Sequence, residues 1–357
     1  MSVRHIWLRA ETKEGEKRCP LTPAQTKALI EAGYHLSVER SATRAFANDA
    51  FEAAGCRMVL EGSWPEAPND AVILGLKELP EESFPLIHTH LYFAHCFKEQ
   101  AGWQALMSRF AAGEGRVLDL EFLVDADGRR VAAFGYWAGF AGAAVAMDLI
   151  CHRQHSGVDA AFGPLSPYAG REAWISELRA KMDRMGRPDL RAIVIGALGR
   201  CGRGALELVR ALDCEVTAWD MAETAVGGPF DEILDHDVFI NCVYLGGAIP
   251  PFLTPDMLDR TRRLAVICDV SCDPQSPYNP IPIYSDTSSF REPSLRVRGG
   301  DLPVDVIAID HLPGLLPREA SESFAQDLFD HIACLNTGSP VWERAAAKYR
   351  KVLAQLA

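Results

Sequence analysis

Along the first 130 residues, short apolar runs alternate with longer stretches in which apolar side chains recur at helical spacing. One helix is expected to begin after Thr22, with Pro23 at its first position, and to stop at Gly33. Alternation of this kind is typical of a parallel sheet with helices packed on it. The runs predict strands at 6–9, 35–39, 57–60, 71–76, 91–95 and 117–120, and a further helix is predicted over 99–113.

The pattern changes after residue 130 and then returns to alternating strands and helices. The run Val131–Met147 has 17 residues without a charge, fewer than the roughly 20 that span a bilayer, and predicts a buried connecting helix over 131–150. A loop rich in proline, glycine and serine is expected at 157–170. The second series predicts strands at 192–195, 215–219, 238–242 and 265–269, a helix at 201–211, and closing helices at 319–335 and 341–353.

A glycine-rich turn follows the apolar strand of the second series and opens a helix. Its pattern is Gly196-x-x-Gly199-x-x-Gly202. Glycines let backbone N–H groups approach a pyrophosphate, and a helix N-terminus attracts its charge. Asp220 ends the next strand, where a carboxylate accepts hydrogen bonds from ribose hydroxyls and repels a 2′-phosphate. The turn predicts an NAD site and makes 131–319 the dinucleotide-binding domain; a tight turn without a ligand is the alternative.

Two candidate catalytic side chains follow predicted strands of the first series. Lys77 ends the run AVILGLK, and His95 ends the run LYFAH. Residues at the carboxyl ends of parallel strands face the ligand crevice, and a desolvated lysine there can act as a base. The alternative is an ordinary surface lysine after a strand. Residues 1–130, with about 320–357, are therefore expected to form the substrate and catalytic domain.

The net charge and the cysteine content indicate which partners the protein can bind and where in the cell it is expected. The net charge is −12, which repels a phosphodiester backbone, so no nucleic acid is expected. None of the ten cysteines forms a Cys-x-x-Cys pair, and charges come too early in the chain for a secretory signal. We therefore expect a cytoplasmic protein that does not bind a membrane. A monomer is expected because the sequence has no evident interface helix repeat. Donors suited to anions are Arg18, Lys98 and the pair Arg129 and Arg130.

No metal is expected at the histidines near the end of the first series. His88 and His90 share one face of a predicted strand, and His95 follows them. Neither a carboxylate nor a thiolate accompanies them at the spacing of a metal site. A metal-free reaction that uses NAD is the simpler interpretation.

Taken together, several blocks of sequence resemble the NAD-dependent, lysine-forming saccharopine dehydrogenases. The blocks include LRAETK, KRCPLTP, GLKELP, FAHCFKEQAGWQ, DLEFL, GRRVAAFGYWAGFAGAA, IGALGRCGRGA and IDHLPGLLPREAS. The resemblance runs from about residue 6 to the helix after Pro317, and the family is a distant relative of alanine dehydrogenase. It implies an α/β enzyme of two Rossmann-like domains whose parallel sheets flank an active-site cleft.

The resemblance also implies a reaction and roles for individual residues. Saccharopine, NAD and water would give lysine, 2-oxoglutarate and NADH, reversibly. Lys77 would take the proton from the secondary amine, and His95 would act as acid and base in hydration of the imine. The implied substrate contacts are Arg18, Lys98, Gln100, Arg130, Phe134, Ser271 and Asp273. The implied NAD contacts are Arg129, Gly199, Arg200, Asp220, Thr224, Tyr244, Val270, Ile309, Asp310, His311 and Leu312.

Three cysteines are expected at the cofactor site. Cys272 stands where the resemblance predicts alanine, which places a thiol beside the nicotinamide. Cys201 and Cys242 follow the glycine turn and the next strand, so they are expected to lie close together beneath the cofactor. A disulfide between them would hinder NAD binding; two buried thiols are the alternative.

Two other functions stay open from the residues alone. The same fold could oxidise another N-(carboxyalkyl) amino acid or alanine. The chain could also be an NAD-binding regulator without chemistry, although binding alone needs neither Lys77 nor His95. The direction of the reaction in the cell does not follow from the sequence, since the reaction is reversible.

Overall fold

The computed structural model describes residues 5–98, 100–335 and 337–356 and divides the chain into two compact units. Unit 1 comprises Met1–Ala133 and Pro317–Ala357, and unit 2 comprises Phe134–Leu316. The strands are β1 (His5–Leu8), β2 (His35–Glu39), β3 (Arg57–Val59), β4 (Val72–Leu74), β5 (Thr89–Tyr92), β6 (Arg116–Asp119), β7 (Arg191–Ile195), β8 (Glu215–Trp219), β9 (Val238–Asn241), β10 (Val266–Asp269), β11 (Leu295–Arg298) and β12 (Val304–Ile307). The α-helices are α1 (Pro23–Glu31), α2 (Asn48–Ala53), α3 (Trp103–Gly113), α4 (Gly135–Ser156), α5 (Arg171–Arg184), α6 (Arg200–Ala211), α7 (Met221–Thr224), α8 (Pro317–Ala333) and α9 (Pro340–Leu353).

Unit 1 is built on a fully parallel sheet in the order β3-β2-β1-β4-β5-β6. The chain moves outward from β1 to β2 and β3, and then returns to pair β4 with the other side of β1. Segments that follow the two strands at such a reversal line a crevice at the carboxyl edge of the sheet. The segments after β1 and β4 are therefore the first place to look for a site in unit 1.

Local capping sets the start of α1. The Thr22 side chain accepts a hydrogen bond from the backbone N–H of Gln25, and the Gln25 side chain accepts one from the N–H of Thr22. Pro23 fits the first position because its missing N–H would have no partner there. The sequence-based prediction of this helix is confirmed at its start, and the positive φ of Gly33 lies just beyond its end.

Unit 2 contains a sheet in the order β11-β12-β10-β9-β7-β8, in which only β11 runs antiparallel to its neighbour within the described residues. Successive residues of β7 enter two different cores: Ala192 and Val194 pack on one face, Ile193 and Ile195 on the other. Both faces of β7 are covered, which explains why the inner strands β7, β9 and β10 are largely apolar and buried along their length.

Helix α4 is the long, buried helix expected from the sequence, shifted toward the C-terminus, so that it also includes Asp148 and Arg153. It begins at Gly135 rather than at 131 and continues to Ser156. Glycines allow its backbone to approach α6: a Cβ at Gly139 would lie 1.8 Å from the carbonyl oxygen of Cys201, and one at Gly204 would lie 1.9 Å from that of Tyr136. Among the described residues, none of the helices has the length and apolar character needed to cross a membrane.

Several predicted boundaries were wrong at the carboxyl edge of the unit 1 sheet. Strand β4 ends at Leu74 and β5 at Tyr92, so Lys77 and His95 lie in the loops beyond them rather than at the strand ends. The register nevertheless continues, because Gly75 N–H donates to the Leu91 carbonyl at 2.9 Å and Phe93 N–H donates to that of Leu76 at 3.0 Å. Apolar side chains continue past the strands because the loops are also buried, so hydropathy could not mark where the strands end.

Some elements were missed, and α3 was predicted too long. It begins at Trp103 rather than at 99, after Gly102 with φ +81°. Strands β11 and β12 and helices α2, α5 and α7 were not predicted. Helix α5 had a readable signal, since Trp174, Leu178 and Met182 recur at helical spacing and are buried. Helix α2 has six residues and buries only Phe51, so it carries little periodicity.

The contact between α4 and α6 predicts the effect of a single methyl group. Gly139→Ala should lower the free energy of unfolding of unit 2 by about 1–3 kcal/mol or more, because backbone atoms of α6 cannot move away from the added Cβ as a side chain would. Chemical denaturation followed by circular dichroism measures this change. Gly163→Ala, with nothing within 4 Å of its Cβ, is the matched control and should leave stability nearly unchanged. Equal stability of both variants would contradict the close approach of the two helices.

Candidate active site

The glycine turn of unit 2 has the geometry that the sequence predicted. Gly196 follows β7 with φ +88°, and Gly199 is the N-cap of α6. A Cβ at Gly202 would lie 2.2 Å from the Gly196 carbonyl oxygen, so a side chain there would close the turn. The turn is tied to the end of β8, because the N–H groups of Gly196 and Ala197 both donate to the Trp219 carbonyl at 2.9 Å.

Asp220 connects the glycine turn to the segment after β8. One carboxylate oxygen accepts a hydrogen bond from Leu198 N–H at 2.8 Å, and the other accepts one from Met221 N–H at 2.9 Å. Thr224 is held in the same segment, since its hydroxyl donates to the Asp220 carbonyl at 2.9 Å. The acid thus lies beside the glycine turn, as a ribose-binding carboxylate would.

These residues fit a dinucleotide. The turn places side-chain-free backbone at the N-terminus of the twelve-residue helix α6, which supplies partial positive charge for a pyrophosphate. Exposed apolar side chains lie in the turn and after the neighbouring strands β8 and β9: Leu198 is 78% exposed, Met221 82% and Tyr244 67%. The sequence analysis did not select Leu198 or Met221. Their signals were available, since Leu198 is an apolar residue inside the glycine turn and Met221 is an apolar residue directly after Asp220.

The loop after β10 is fixed by a buried carboxylate. Asp269 accepts hydrogen bonds from the Ser271 hydroxyl at 2.6 Å, the Tyr284 hydroxyl at 2.6 Å and the Asn241 amide at 3.0 Å. Val270, Ser271 and Asp273 follow this anchor, and Cys272 between them adopts φ +51°. Burial raises the pKa of the Cys272 thiol to about 12, helped by the charges of Asp269, Asp310 and Asp273.

The remaining predicted cofactor residues of unit 2 lie after β12 and at the start of α6. Ile309 and Leu312 are buried, Asp310 is exposed, and the His311 ring lies 4.2 Å from that of Phe290. Arg200 is the first residue of α6, and Phe134 precedes α4. The carboxyl ends of β7, β8, β10 and β12 therefore carry most of the residues implied for NAD.

Lys77 lies in unit 1 where the segments after β1 and β4 meet. Both carboxylate oxygens of Glu11 accept backbone hydrogen bonds, from Leu76 N–H at 2.7 Å and from Lys77 N–H at 2.9 Å. The Arg9 guanidinium donates to the Lys77 carbonyl. Glu16 lies near Lys77 as well. Burial opposes ionisation of Glu16, but the hydrogen bonds and charge of Arg18, with a contribution from Lys77, outweigh it and lower the Glu16 pKa.

His95 follows β5 beside the loop that carries Lys77. Its Nε2 lies 3.7 Å from the carboxylate of Glu78, the residue after Lys77, and its side chain is 42% exposed. The same carboxylate lies 3.7 Å from the Lys13 ammonium. The two candidate catalytic residues thus follow adjacent strands of one sheet, with Glu78 next to Lys77 in the chain and within reach of His95.

Asp119 ends β6 beneath the His95 segment and is fully buried. It accepts hydrogen bonds from Ala94 N–H at 3.3 Å and from Glu121 N–H at 2.8 Å. Burial raises the pKa of Asp119 to about 7, and the Glu121 charge adds to this, while those hydrogen bonds and Lys98 oppose it. Sequence reasoning missed Asp119 because an acid at the end of a strand is common.

The predicted anion donors of unit 1 differ in exposure. The Arg18 guanidinium is buried and forms two hydrogen bonds to Glu16, at 2.8 and 2.6 Å. The Lys98 ammonium donates to Glu121 at 2.6 Å, and Lys98 N–H donates to the Gln100 side chain at 2.9 Å. Arg129 and Arg130 are exposed on a turn that is closed by the bridge between Val124 and Arg130.

The histidines and thiols singled out in the sequence have these surroundings. His88 Nε2 contacts the Ala67 carbonyl at 3.0 Å, and both ring nitrogens of His90 are buried among aromatic rings. No cluster of metal-ligating side chains was found among the described residues. Burial raises the pKa of the Cys242 thiol, and so does the nearby Cys201. The disulfide between Cys201 and Cys242 stays a prediction.

Comparison with known proteins places this geometry in a family. The model for "Alanine dehydrogenase/PNT, N-terminal domain" matches residues 7–141. A saccharopine dehydrogenase (NAD+, L-lysine-forming) of Schizosaccharomyces pombe is 46% identical over 100% of both chains, and one of Neurospora crassa is 48% identical over 100% of this chain and 98% of its own. The solved structure of an L-alanine dehydrogenase covers 99% of this chain and 100% of its own, with TM-score 0.69 at 16% identity. The predicted α/β class with Rossmann-like domains is confirmed.

The raised pKa of Asp119 predicts a pH dependence of stability. The folded state binds the Asp119 proton more tightly than the unfolded state, so stability is lost as pH rises from about 4 to about 7. One pKa unit corresponds to about 1.4 kcal/mol. Asp119→Asn should therefore lose less unfolding free energy over this interval than the unchanged protein, measured by urea denaturation at several pH values. The exposed Asp49→Asn corrects for the loss of one negative charge, and parallel curves for all three proteins would contradict the prediction.

Proposed function

This chain belongs to the NAD-dependent, L-lysine-forming saccharopine dehydrogenases, and we propose that it catalyses saccharopine + NAD+ + H2O → L-lysine + 2-oxoglutarate + NADH + H+, reversibly. It is an oxidoreductase that acts on the CH–NH group of a secondary amine. The observation that carries the proposed mechanism is the placement of Lys77 and His95 after adjacent parallel strands, with Glu78 beside both. A lysine and a histidine so placed supply the two proton transfers that oxidation and hydrolysis of an amine require.

The two units divide the work in this proposal. Unit 1 is the substrate and catalytic domain, because it holds Lys77, His95 and the buried Arg18. Unit 2 is the dinucleotide-binding domain, because it holds the glycine turn and Asp220. We assign NAD to the residues at the carboxyl ends of its strands. These are Gly199, Arg200, Asp220, Thr224, Tyr244, Val270, Ile309, Asp310, His311 and Leu312, to which Arg129 of unit 1 is added.

The residues of the chain perform the proton transfers. When bound, NAD supplies the acceptor for the hydride that leaves the carbon next to the secondary amine. Lys77, as the base, takes the proton of that amine, and loss of the hydride then leaves an imine that is open to water. His95 takes a proton from the attacking water and returns it to the nitrogen of the carbinolamine. As the carbinolamine collapses, His95 takes the hydroxyl proton, so the carbonyl of 2-oxoglutarate forms while the lysine amine departs. The Glu78 carboxylate, 3.7 Å from Nε2 of His95, can pair with the ring while it holds that proton.

The substrate-binding assignments match the charge of the substrate. Saccharopine carries three carboxylates, and guanidinium groups bind carboxylates through paired hydrogen bonds. Arg18 and Arg130 are assigned to them, and Glu16 holds the Arg18 guanidinium in one orientation. The other assigned contacts are Lys98, Gln100, Phe134, Ser271 and Asp273.

The net charge and the cysteines of the chain support proposals for its partners and its location in the cell. Small-molecule substrates suit an acidic chain in which a buried cation such as Arg18 can bind an anion locally. Buried free thiols such as Cys19, Cys56, Cys96 and Cys151 fit the reducing cytoplasm, which we propose as its location. We also propose a monomer that binds no nucleic acid; a sedimentation mass other than about 39.2 kDa would overturn the monomer.

An assay of NADH consumption tests the reaction. With 2-oxoglutarate and NADH, L-lysine should be turned over, and alanine or ornithine should be at least about a hundredfold poorer by kcat/KM. Lys77→Met should lose about 10²- to 10⁴-fold in kcat while its affinity for NADH, measured by fluorescence, stays the same. Faster turnover of another amine would move the chain to a related substrate. Absence of turnover with intact NADH binding would favour an NAD-binding regulator.

The carboxylate of Asp220 predicts the choice between NAD and NADP. Asp220→Asn keeps the shape of the side chain and an acceptor for Leu198 N–H but removes the charge that repels a 2′-phosphate. The ratio of kcat/KM for NAD to that for NADP should fall about tenfold or more, equivalent to about 1.4 kcal/mol. Glu223→Gln, next to Asp220 in the capping contact, is the matched control for charge. An unchanged ratio in Asp220→Asn would remove Asp220 from the cofactor site.

A further inference from the structure

We propose that Glu11 and Arg9 are positioning residues that hold the main chain of Lys77 in place for catalysis. The inference rests on the proposed role of Lys77 as the base. Neither residue carries a role in the steps described above. Both follow β1, which pairs with β4, so the reversal of strand order brings them to the loop that carries Lys77.

The two side chains hold opposite ends of the same stretch of backbone. Glu11 accepts from the N–H groups of Leu76 and Lys77, at 2.7 and 2.9 Å, and Arg9 donates to the Lys77 carbonyl. Arg9 and Glu11 are also paired with each other, with 3.4 Å between nitrogen and oxygen. The N–H and the C=O of residue 77 are therefore both bound to one ion pair.

This ion pair is built into the interior. The Arg9 side chain is 2% exposed and that of Glu11 is 6% exposed. Burial raises the pKa of Glu11, against the opposing charge of Arg9 and the two backbone hydrogen bonds. Gly75 leaves room for Arg9, since a Cβ at that position would lie 2.3 Å from the guanidinium Nε. The Arg9 guanidinium also lies 5.7 Å from the centre of the Tyr92 ring.

A buried charged pair is a costly way to stabilise a loop, because both ions lose their hydration. An apolar pair would avoid this loss of hydration but would leave the N–H groups of Leu76 and Lys77 and the Lys77 carbonyl without these partners. Lys77 lies three residues beyond the end of β4 and carries a flexible side chain. Fixing its backbone limits where the ammonium can reach, and a displacement of about 1 Å at a catalytic group can cost about a hundredfold in rate.

The test is a cycle of variants at positions 11 and 77. Glu11→Gln keeps the size of the side chain but replaces one acceptor by a donor that faces a backbone N–H. We expect kcat to fall about tenfold to a hundredfold while KM for NADH stays within about twofold. In the Lys77→Met background the same substitution should cost less than about twofold, because a residue that acts through Lys77 has nothing left to position. Glu14→Gln, an exposed glutamate of the same segment, is the matched control and should keep full activity.

Glu11→Asp is a second variant that keeps the inference testable if Glu11→Gln does not fold. It keeps the charge but is one methylene shorter, so kcat should lie between the values for the unchanged protein and Glu11→Gln. Unchanged kcat in Glu11→Gln would overturn the inference. So would an equal fold-loss in both backgrounds, or a loss that follows the melting temperature instead of kcat. If Lys77→Met itself is fully active, the proposed base is wrong, which is a separate result from a failure at Glu11.

Discussion

Parallel pairing of strands is the constraint on which both candidate sites depend. In each unit, neighbouring parallel strands end at the same edge of the sheet, so loops that are far apart in sequence meet there. In unit 1 this brings the segment after β1 to the segment after β4, and thus Glu11 to Lys77. In unit 2 it brings the turn after β7 to the end of β8, and thus Leu198 to Asp220.

Carboxylates fix these loops in a recurrent way. At each carboxyl edge, an Asp or Glu accepts backbone N–H groups that a loop would otherwise leave without a strand or helix partner. Asp119 and Asp269 do this for the segments of His95 and Ser271, as Glu11 does for Lys77. Glu39 extends the pattern to the far side of the unit 1 sheet, where it accepts from Ala10, Gly62 and Trp64. Hydrogen bonds from several N–H groups offset the loss of hydration that burying a carboxylate entails.

Part of the negative charge of the chain has a structural role, because acidic side chains bind the backbone of loops. A net charge of −12 argues against a polyanionic partner, yet several of these acids are buried and hold backbone instead of facing solvent. Cations near the proposed substrate site are paired with neighbouring acids, as Arg18 with Glu16 and Lys98 with Glu121 show. An anionic substrate can therefore be recognised locally by an acidic protein, since local geometry outweighs net charge at contact distance.

The sequence by itself determined those features whose cause is local. The cap of α1 at Thr22 and the strand, glycine turn and helix at Gly196 depend on neighbours within a few residues, and both were predicted correctly. The positions of Lys77 and His95 relative to the strand ends were wrong, because burial continues into the loops. Only the tertiary structure decided which acids become anchors. Glu11 and Glu14 are three residues apart and alike in sequence, but strand order buries the first against Lys77 and leaves the second in solvent.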